Sequence, residues 1–410
     1  MSSRWIDAHP HVREAEDPDL VPGGFRAAGV AAGLKASGAL DLGLLVCDAR
    51  EVTSAARFTR SGVLAAPVLV TKARCRLDAI RAVAANSGNA NAATGGMGTE
   101  QAARIQGATA LAAGVREDRV ALASTGVIGV QLDGDAVIRG LVRARGDLAQ
   151  DGGGDFARAI MTTDKFEKRA AVEVELPSGT VSLTAQAKGA GMISPRFATM
   201  LCFVQTDAAL APETADLLLG VCVKRSFDRI SVDGQLSTND TVILQCSGAS
   251  GVRVGPESED ELRLGEALDA LLRRLALRIV ADGEGSRRVG RVVVRGGRQE
   301  AVERAARAVA NSPLVKAALH GGDPNWGRIA QAVGGVLPDT APLALDIAIE
   351  GTLVCRAGAA ARFDEAALAR AVAGDEVDYE VTLPGEGAET EVFFSDLSHE
   401  YVSINAEYTT

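Results

Sequence analysis

The chain has 410 residues, 47% apolar and only 4% aromatic, so Leu, Val, Ile and Ala must fill its core. This length suggests two or three domains, or one large sandwich with a smaller partner. Forty-three basic residues against 53 acidic ones give a net charge of −10 with no basic arm, which argues against a nucleic-acid partner. Six cysteines stand singly with no CxxC pair, which argues against zinc-ribbon and thioredoxin-type chemistry and fits reduced, mostly buried thiols.

Residues 1–24 read as a loose polar leader closed by Pro22-Gly23-Gly24. The leader is not a signal peptide and no 18-residue apolar span follows it, so a soluble, cytoplasmic protein with no membrane partner is expected. The runs "ALDLGLLVCD" (39–48) and "APVLVTKA" (66–73) are apolar and β-branched, and are expected as strands. "EQAARIQGATALAAG" (100–114) has helical spacing, and "RVALASTGVIG" (119–129) reads as a buried strand running into a loop. "VEVELPSGTVSLTAQA" alternates on both sides of Pro177-Ser178-Gly179-Thr180, a hairpin signal.

After residue 200 the pattern continues in kind. "LCFVQTDA" (201–208) is strand-like. Residues 211–227 form a helix with Pro212 in its first turn and Leu217, Leu218 and Val221 on one side. A long amphipathic helix over 260–285 stops at Gly283 and Gly285, and another covers 300–312. Hairpins are expected at Glu350-Gly351 and at 384–387. Strand pairs alternating with helices favour an α+β layered sandwich. The charged stretch 286–298 is the best candidate for a boundary between a main domain (25–285) and a smaller C-terminal α/β domain (286–397), with a tail at 398–410.

Much chemistry is excluded by motif. There is no GxSxG elbow, no GxGxxG and no GxxxxGK[ST], and only four histidines, of which His9 and His11 lie in the leader. His320 and Asp323 in "HGGDPNWGR" have metal-ligating side chains, but a glycine-rich turn with an Asp-Pro break explains them, and no metal is expected. Hydroxyl chemistry without a histidine remains. A threonine hydroxyl is activated when its own α-amine serves as base, which for an internal threonine requires that the preceding peptide bond be cut. That amine has a pKa of about 7.7–8.0, close to working pH. In "KGAGMISPRFATML" (188–201), Ala198-Thr199 offers a small residue before the threonine and glycines upstream for tight geometry. It fits a plain loop-to-strand junction too.

Several stretches occur together and in order: "FRAAGVAAGLKASGALDL" (25–42), "NSGNANAATG" (86–95), "STGVIG" (124–129), "AIMTTD" (159–164), "AKGAGMISPRFATML" (187–201), "SVDGQLSTNDT" (231–241), "DGEG" (282–285), "NSPLVKAALHGGDPNWGRI" (311–329) and "SHEYVSINAEYTT" (398–410). Together they resemble the ornithine acetyltransferase family over nearly everything after the leader. The resemblance implies an α/β/β/α-type sandwich like that of N-terminal-nucleophile enzymes. It implies self-cleavage between Ala198 and Thr199, with the two pieces staying together as α and β chains of a heterotetramer or larger assembly. Thr199 is then the nucleophile that carries acetyl from N-acetylornithine to glutamate, with no cofactor and with acetyl-CoA at most a further substrate.

Residue roles follow by matching motifs. Thr125 and Gly126 match the oxyanion-hole pair; a hydroxyl and a backbone N–H aimed at a developing oxyanion are worth about 3 kcal/mol each, although "STG" alone also reads as a turn after a strand. Thr162 and Lys188 match substrate-contacting positions; a lone lysine is otherwise a solvated charge. Glu284 matches the group that binds the substrate's distal amine, and Asn405 and Thr410 the tail that closes over it. "STND" (237–240) and "DPNWG" (323–327) read as supports, with Asn and Asp satisfying turn amides and Trp326 filling space under a glycine loop. "SPRF" before Ala198, "SRR" after "DGEG" and Gln-Leu in "VDGQLSTND" depart from the family pattern without removing a reactive group. Three other readings share part of this ground: an N-terminal-threonine amidohydrolase, a specialised-metabolism acyltransferase with another donor or acceptor, and an uncleaved binding protein.

Overall fold

A computed structural model describes residues 3–194, 200–337 and 340–407. With elements numbered in chain order, a four-stranded sheet runs β2 (Phe25–Val30), β3 (Leu42–Cys47), β5 (Ala82–Asn86), β6 (Val120–Ser124). A six-stranded sheet runs β1 (Val12–Glu14), β7 (Lys168–Leu176), β8 (Gly179–Lys188), β9 (Leu201–Thr206), β12 (Thr241–Cys246), β4 (Thr53–Phe58). In this second sheet β9 pairs antiparallel with β8 and parallel with β12, and β12 pairs antiparallel with β4.

Strand periodicity decides how the layers stack. In β3, Leu42, Leu44 and Val46 face α1 (Ala66–Arg74), α2 (Gly95–Ala113) and α3 (Gly134–Gly146), while Leu45 and Cys47 face the other sheet. In β9, Leu201 and Phe203 meet that inner face, and Cys202 and Val204 face α5 (Pro212–Arg225) and α6 (Glu259–Ala281). The order is therefore helix, sheet, sheet, helix, as the resemblance implies. Between the sheets α4 (Gly153–Ala159) inserts Phe156, whose ring meets Phe203 edge-on at 5.3 Å. Ser258 caps α6 by accepting from Glu261 N, and Leu264, Leu268, Leu271, Leu272 and Leu275 form its buried stripe. Each such leucine contributes about 1.5–3 kcal/mol on burial.

A seven-stranded sheet runs β11 (Ile230–Ser231), β19 (Glu389–Ser395), β14 (Val289–Arg295), β18 (Glu376–Thr382), β15 (Asp346–Ile349), β16 (Thr352–Arg356), β17 (Ala359–Ala360). Its own core packs against α7 (Gln299–Asn311), α8 (Pro313–Gly321), α9 (Trp326–Val336) and α10 (Glu365–Ala371). A short parallel pair, β10 (Ala209–Leu210) with β13 (Arg253–Val254), completes the strands among the described residues.

Several expectations hold. The 177–180 turn joins β7 to β8, and Glu350-Gly351 joins β15 to β16 with both residues at positive φ, as a tight hairpin requires. The helix expected from residue 211 forms as α5, burying Ala215, Leu219, Cys222 and Val223 and leaving Leu217 and Val221 exposed. Three expectations do not hold. Residues 66–73 are helical rather than extended: Ala65 is the N-cap, Pro67 sits in the first turn and Lys72 and Arg74 in the last. Residues 384–387 do not close a hairpin, because β14 lies between β18 and β19. The leader is not loose. Trp5 is buried against Phe393, Arg4 pairs with Glu350, and β1 extends the six-stranded sheet. The stretch 286–298 holds β14.

Candidate active site

Thr125 and Gly126 follow the end of β6 directly. Thr125 N donates to Asn86 O at 2.9 Å, and Asn239 Nδ2 donates to Ser124 O at 2.8 Å and to Ala90 O at 2.7 Å. Gly126 has φ +129, and a Cβ there would stand 2.4 Å from the Gly88 carbonyl carbon and 2.6 Å from Asn89 N. Only glycine satisfies both the dihedral and the space.

Lys188 ends β8 and sits opposite Leu201 of β9 in the ladder. It is 3% exposed. Its ammonium donates to Thr125 Oγ1 at 3.1 Å and to Thr162 Oγ1 at 2.8 Å. Both hydroxyls receive the lysine's hydrogens, so each keeps its own to donate. Burial pulls the Lys188 pKa below the ordinary lysine value against the attraction of Asp164, Glu284 and Asp240. Asp164 is the local counter-charge. It accepts from Thr162 N at 3.0 Å, Gly189 N at 2.8 Å and Lys168 Nζ. Burial works to raise its pKa, yet the charges of Lys188 and Lys168 prevail and hold it below the usual carboxylate range.

The chain from Lys188 leads on to Glu284. Glu284 N donates to Ala190 O at 2.9 Å, and a Cβ on Gly191 would meet the Glu284 carboxylate at 2.8 Å. Glu284 is 7% exposed, and its carboxylate accepts from Thr163 Oγ1 at 2.9 Å and from Asn405 Nδ2 at 2.8 Å. Asn405 lies on the surface helix α11 (His399–Glu407), which follows Ser398, whose hydroxyl donates to Gly285 O at 2.8 Å. Below this loop Asp396 accepts from Ser286 Oγ and Arg287 N. Lys316, wholly buried, donates to Ser395 O and Ser395 Oγ.

Beyond the stretch containing the expected cut, Met200 N donates to Asp240 Oδ1 at 3.0 Å. Burial above all raises the Asp240 pKa well above its usual value, against the hydrogen bond from Met200 N and the charge of Lys188. Ala198, Thr199 and Thr410 lie outside the described residues.

Of the residues singled out in the sequence, Lys188 thus bonds Thr125 and Thr162 directly, with Gly126 next in the chain, and Asn405 bonds Glu284. Thr163 and Asp164 had no assigned role. The signal for Asp164 was a buried acid four residues before Lys168, invisible until burial is known. Asn239 is a support, as expected, although it satisfies carbonyls rather than amides. Trp326 opens α9, with Asn325 as its cap, and packs partly buried against the core of the seven-stranded sheet. His320 pairs with Asp396 at 2.7 Å, and Asp323 accepts from Asn325.

The family model described as the ArgJ family matches residues 26–410. The chain belongs to the ArgJ family. The "Arginine biosynthesis bifunctional protein ArgJ" of Symbiobacterium thermophilum is 42% identical over 392 residues, which cover 95% of this chain and 98% of that protein. The ArgJ protein of the same description from Nitratidesulfovibrio vulgaris is 42% identical over 390 residues, covering 94% and 98%. Among solved structures, an ornithine acetyltransferase complexed with ornithine from Mycobacterium tuberculosis is 37% identical, with a TM-score of 0.42 over 46% of this chain and 99% of that one.

Proposed function

We propose that this ArgJ chain is a glutamate N-acetyltransferase of arginine biosynthesis which cuts itself between Ala198 and Thr199 and works through an acetyl-threonine ester. The free α-amine of Thr199 takes the proton from its own Oγ, and the oxygen attacks the acetyl carbonyl of N-acetylornithine. The Thr125 hydroxyl and Gly126 N–H stabilise the tetrahedral oxyanion. Collapse expels ornithine with a proton on its α-nitrogen, leaving acetyl on Thr199. The glutamate amine then attacks the ester, and the same steps in reverse release N-acetylglutamate.

The observation that carries this reading is the Lys188 ammonium bonded to both Thr125 and Thr162 in a ladder position opposite Leu201, two residues after Thr199. Lys188 and Thr162 contact the substrate, and Glu284 takes the distal amine of ornithine. The tail with Asn405 and Thr410 closes the site. The enzyme needs no cofactor, acetyl-CoA being at most a second acetyl donor. It is cytoplasmic, with its two pieces assembled as a heterotetramer or larger. Residues 25–285 form the main domain and 286–397 the smaller one.

The test is the intact mass of the purified protein under denaturing conditions. In proportion to chain length, the 42.3 kDa chain gives pieces of about 20 and 22 kDa, the larger beginning at Thr199. Thr199→Ala leaves one mass and no acetyl transfer. N-acetylornithine alone releases ornithine only to one equivalent and no steady acetate. A wild-type protein that stays whole yet transfers acetyl overturns the mechanism, and steady acetate release makes the enzyme a hydrolase.

A further inference from the structure

The leader carries two of the chain's four histidines, His9 and His11, and the fold sets both against Glu266 in the middle of α6. His11 Nε2 lies 3.3 Å and His9 Nδ1 3.7 Å from the same carboxylate oxygen, Glu266 Oε2, and one ligand atom from each of the three residues lies within 4.8 Å of the others. His11 Nε2 is withdrawn from solvent and makes no hydrogen bond among the described residues, despite the nearby oxygen. An imidazole nitrogen and a carboxylate oxygen both offer lone pairs to a cation, so an ion between them would satisfy the two together.

We propose that His9, His11 and Glu266 form a zinc site that fastens the leader to α6. Two imidazoles and one carboxylate are the borderline donors zinc takes, and three protein ligands leave a fourth position for water. Ligand bonds of about 2.0–2.1 Å set tetrahedral donors about 3.3–3.4 Å apart. The separations of 3.3 and 3.7 Å from Glu266 Oε2 are close to that spacing.

The backbone presents both histidines independently of any ion. Val12 N donates to His9 O at 3.0 Å, Glu175 N donates to His11 O at 2.8 Å, and β1 begins one residue later. Before the histidines, Trp5 Nε1 donates to Asp378 and Arg273 Nε donates to Trp5 O. The segment is therefore held at both ends, so an ion does not have to order it. A broad groove between α5 and α6, with a volume of about 880 Å³ and walls that include Leu217, Val221 and Leu262, reaches His9 and Glu266. No residue of the candidate active site takes part. The sequence motifs pointed to His320 and Asp323 as potential ligands, and the residues that do converge are separated by most of the chain.

The test uses the full-length protein without an affinity tag, stripped by chelator, and Zn²⁺ as the probe in a competition titration. One ion per chain is expected, with at least tenfold weaker binding in His11→Gln and in Glu266→Gln. Substituted Co²⁺ should show the intense visible bands of four-coordinate cobalt, lost in Glu266→Gln. His9→Gln changes a more exposed side chain and should give the same loss if His11→Gln folds poorly. No stoichiometric zinc, six-coordinate cobalt, or binding unchanged in folded His9→Gln and Glu266→Gln proteins overturns the site.

Discussion

Thr125 and Gly126 rest on backbone that the four-stranded sheet fixes, through Asn86, Gly88 and the amide of Asn239. The Glu284 carboxylate instead is held by side chains, one of them Asn405 on an exposed helix, with the charges of buried Lys316 and Asp396 beneath the loop. The first arrangement resists adjustment, which suits the oxyanion site proposed for it. The second can yield, which suits the proposed role of meeting ornithine's cation and glutamate's carboxylate in turn. On that proposal, rigidity and compliance are allotted to different parts of one site by the kind of bond that builds each.

Gly126→Ala breaks the rigid side outright, because its Cβ meets backbone on both counts of dihedral and space. We expect self-cleavage and kcat to fall on the order of 10³ or more, measured by intact mass and steady-state turnover. A wild-type rate would mean that this backbone is not the oxyanion site. Thr125→Ala removes one donor and should slow both steps on the order of 10²–10³, mostly in kcat. The compliant side answers differently. Its ionisable support makes stability depend on pH: burial lowers the Lys316 pKa to about 7 against the pull of Asp396 and Asp233. Between about pH 7 and 10 the unfolded chain holds a proton that folded Lys316 lacks, so this group makes stability rise with pH across that window. Below pH 7 the cost of charging it is fully present. Chemical denaturation from pH 7 to 10 should show a steeper rise for wild type than for Lys316→Met; equal slopes would remove Lys316 from the account. The smallest effect is expected for Asn405→Ala, which loses the part-buried hydrogen bond to Glu284 and an exposed one to Tyr401 O. The KM for N-acetylornithine should rise about 3–10-fold with kcat nearly constant. A large drop in kcat would show that the tail shapes the transition state.

The same contrast governs what could be read from the sequence. Strand pairs alternating with helices, together with the family resemblance, carried the layering, and the motifs around Thr125, Lys188 and Glu284 carried the proposed site. Order within the seven-stranded sheet was not legible, because placing β14 between β18 and β19 depends on pairings between distant strands that no local pattern encodes. In α1 a β-branched run outweighed Pro67, whose place in a first helical turn was the better signal. Leu217 and Val221 had helical spacing but pointed away from the core, since Ala215, Leu219 and Cys222 supply the face that α5 buries. Asp164 and Asp240 are ordinary acids in the sequence; burial works to raise the pKa of both, and only the charges of Lys188 and Lys168 bring that of Asp164 below the usual range while Asp240 stays above it.

The six-stranded sheet holds one last implication. Strands β9 and β12 come after residue 199, and they are flanked by β8 on one side and β4 on the other, both from before it. A chain severed at that point is stitched through its own partner along two ladders and cannot shed either piece without dissolving the sheet. Folding then becomes a one-way event: a heated, cut molecule must find its other half by collision, so recovery on cooling should depend on protein concentration, whereas that of an uncut variant should not. Mixed populations carrying different isotopes should likewise refuse to trade pieces while folded, making each molecule a permanent couple of the two segments with which it was synthesised.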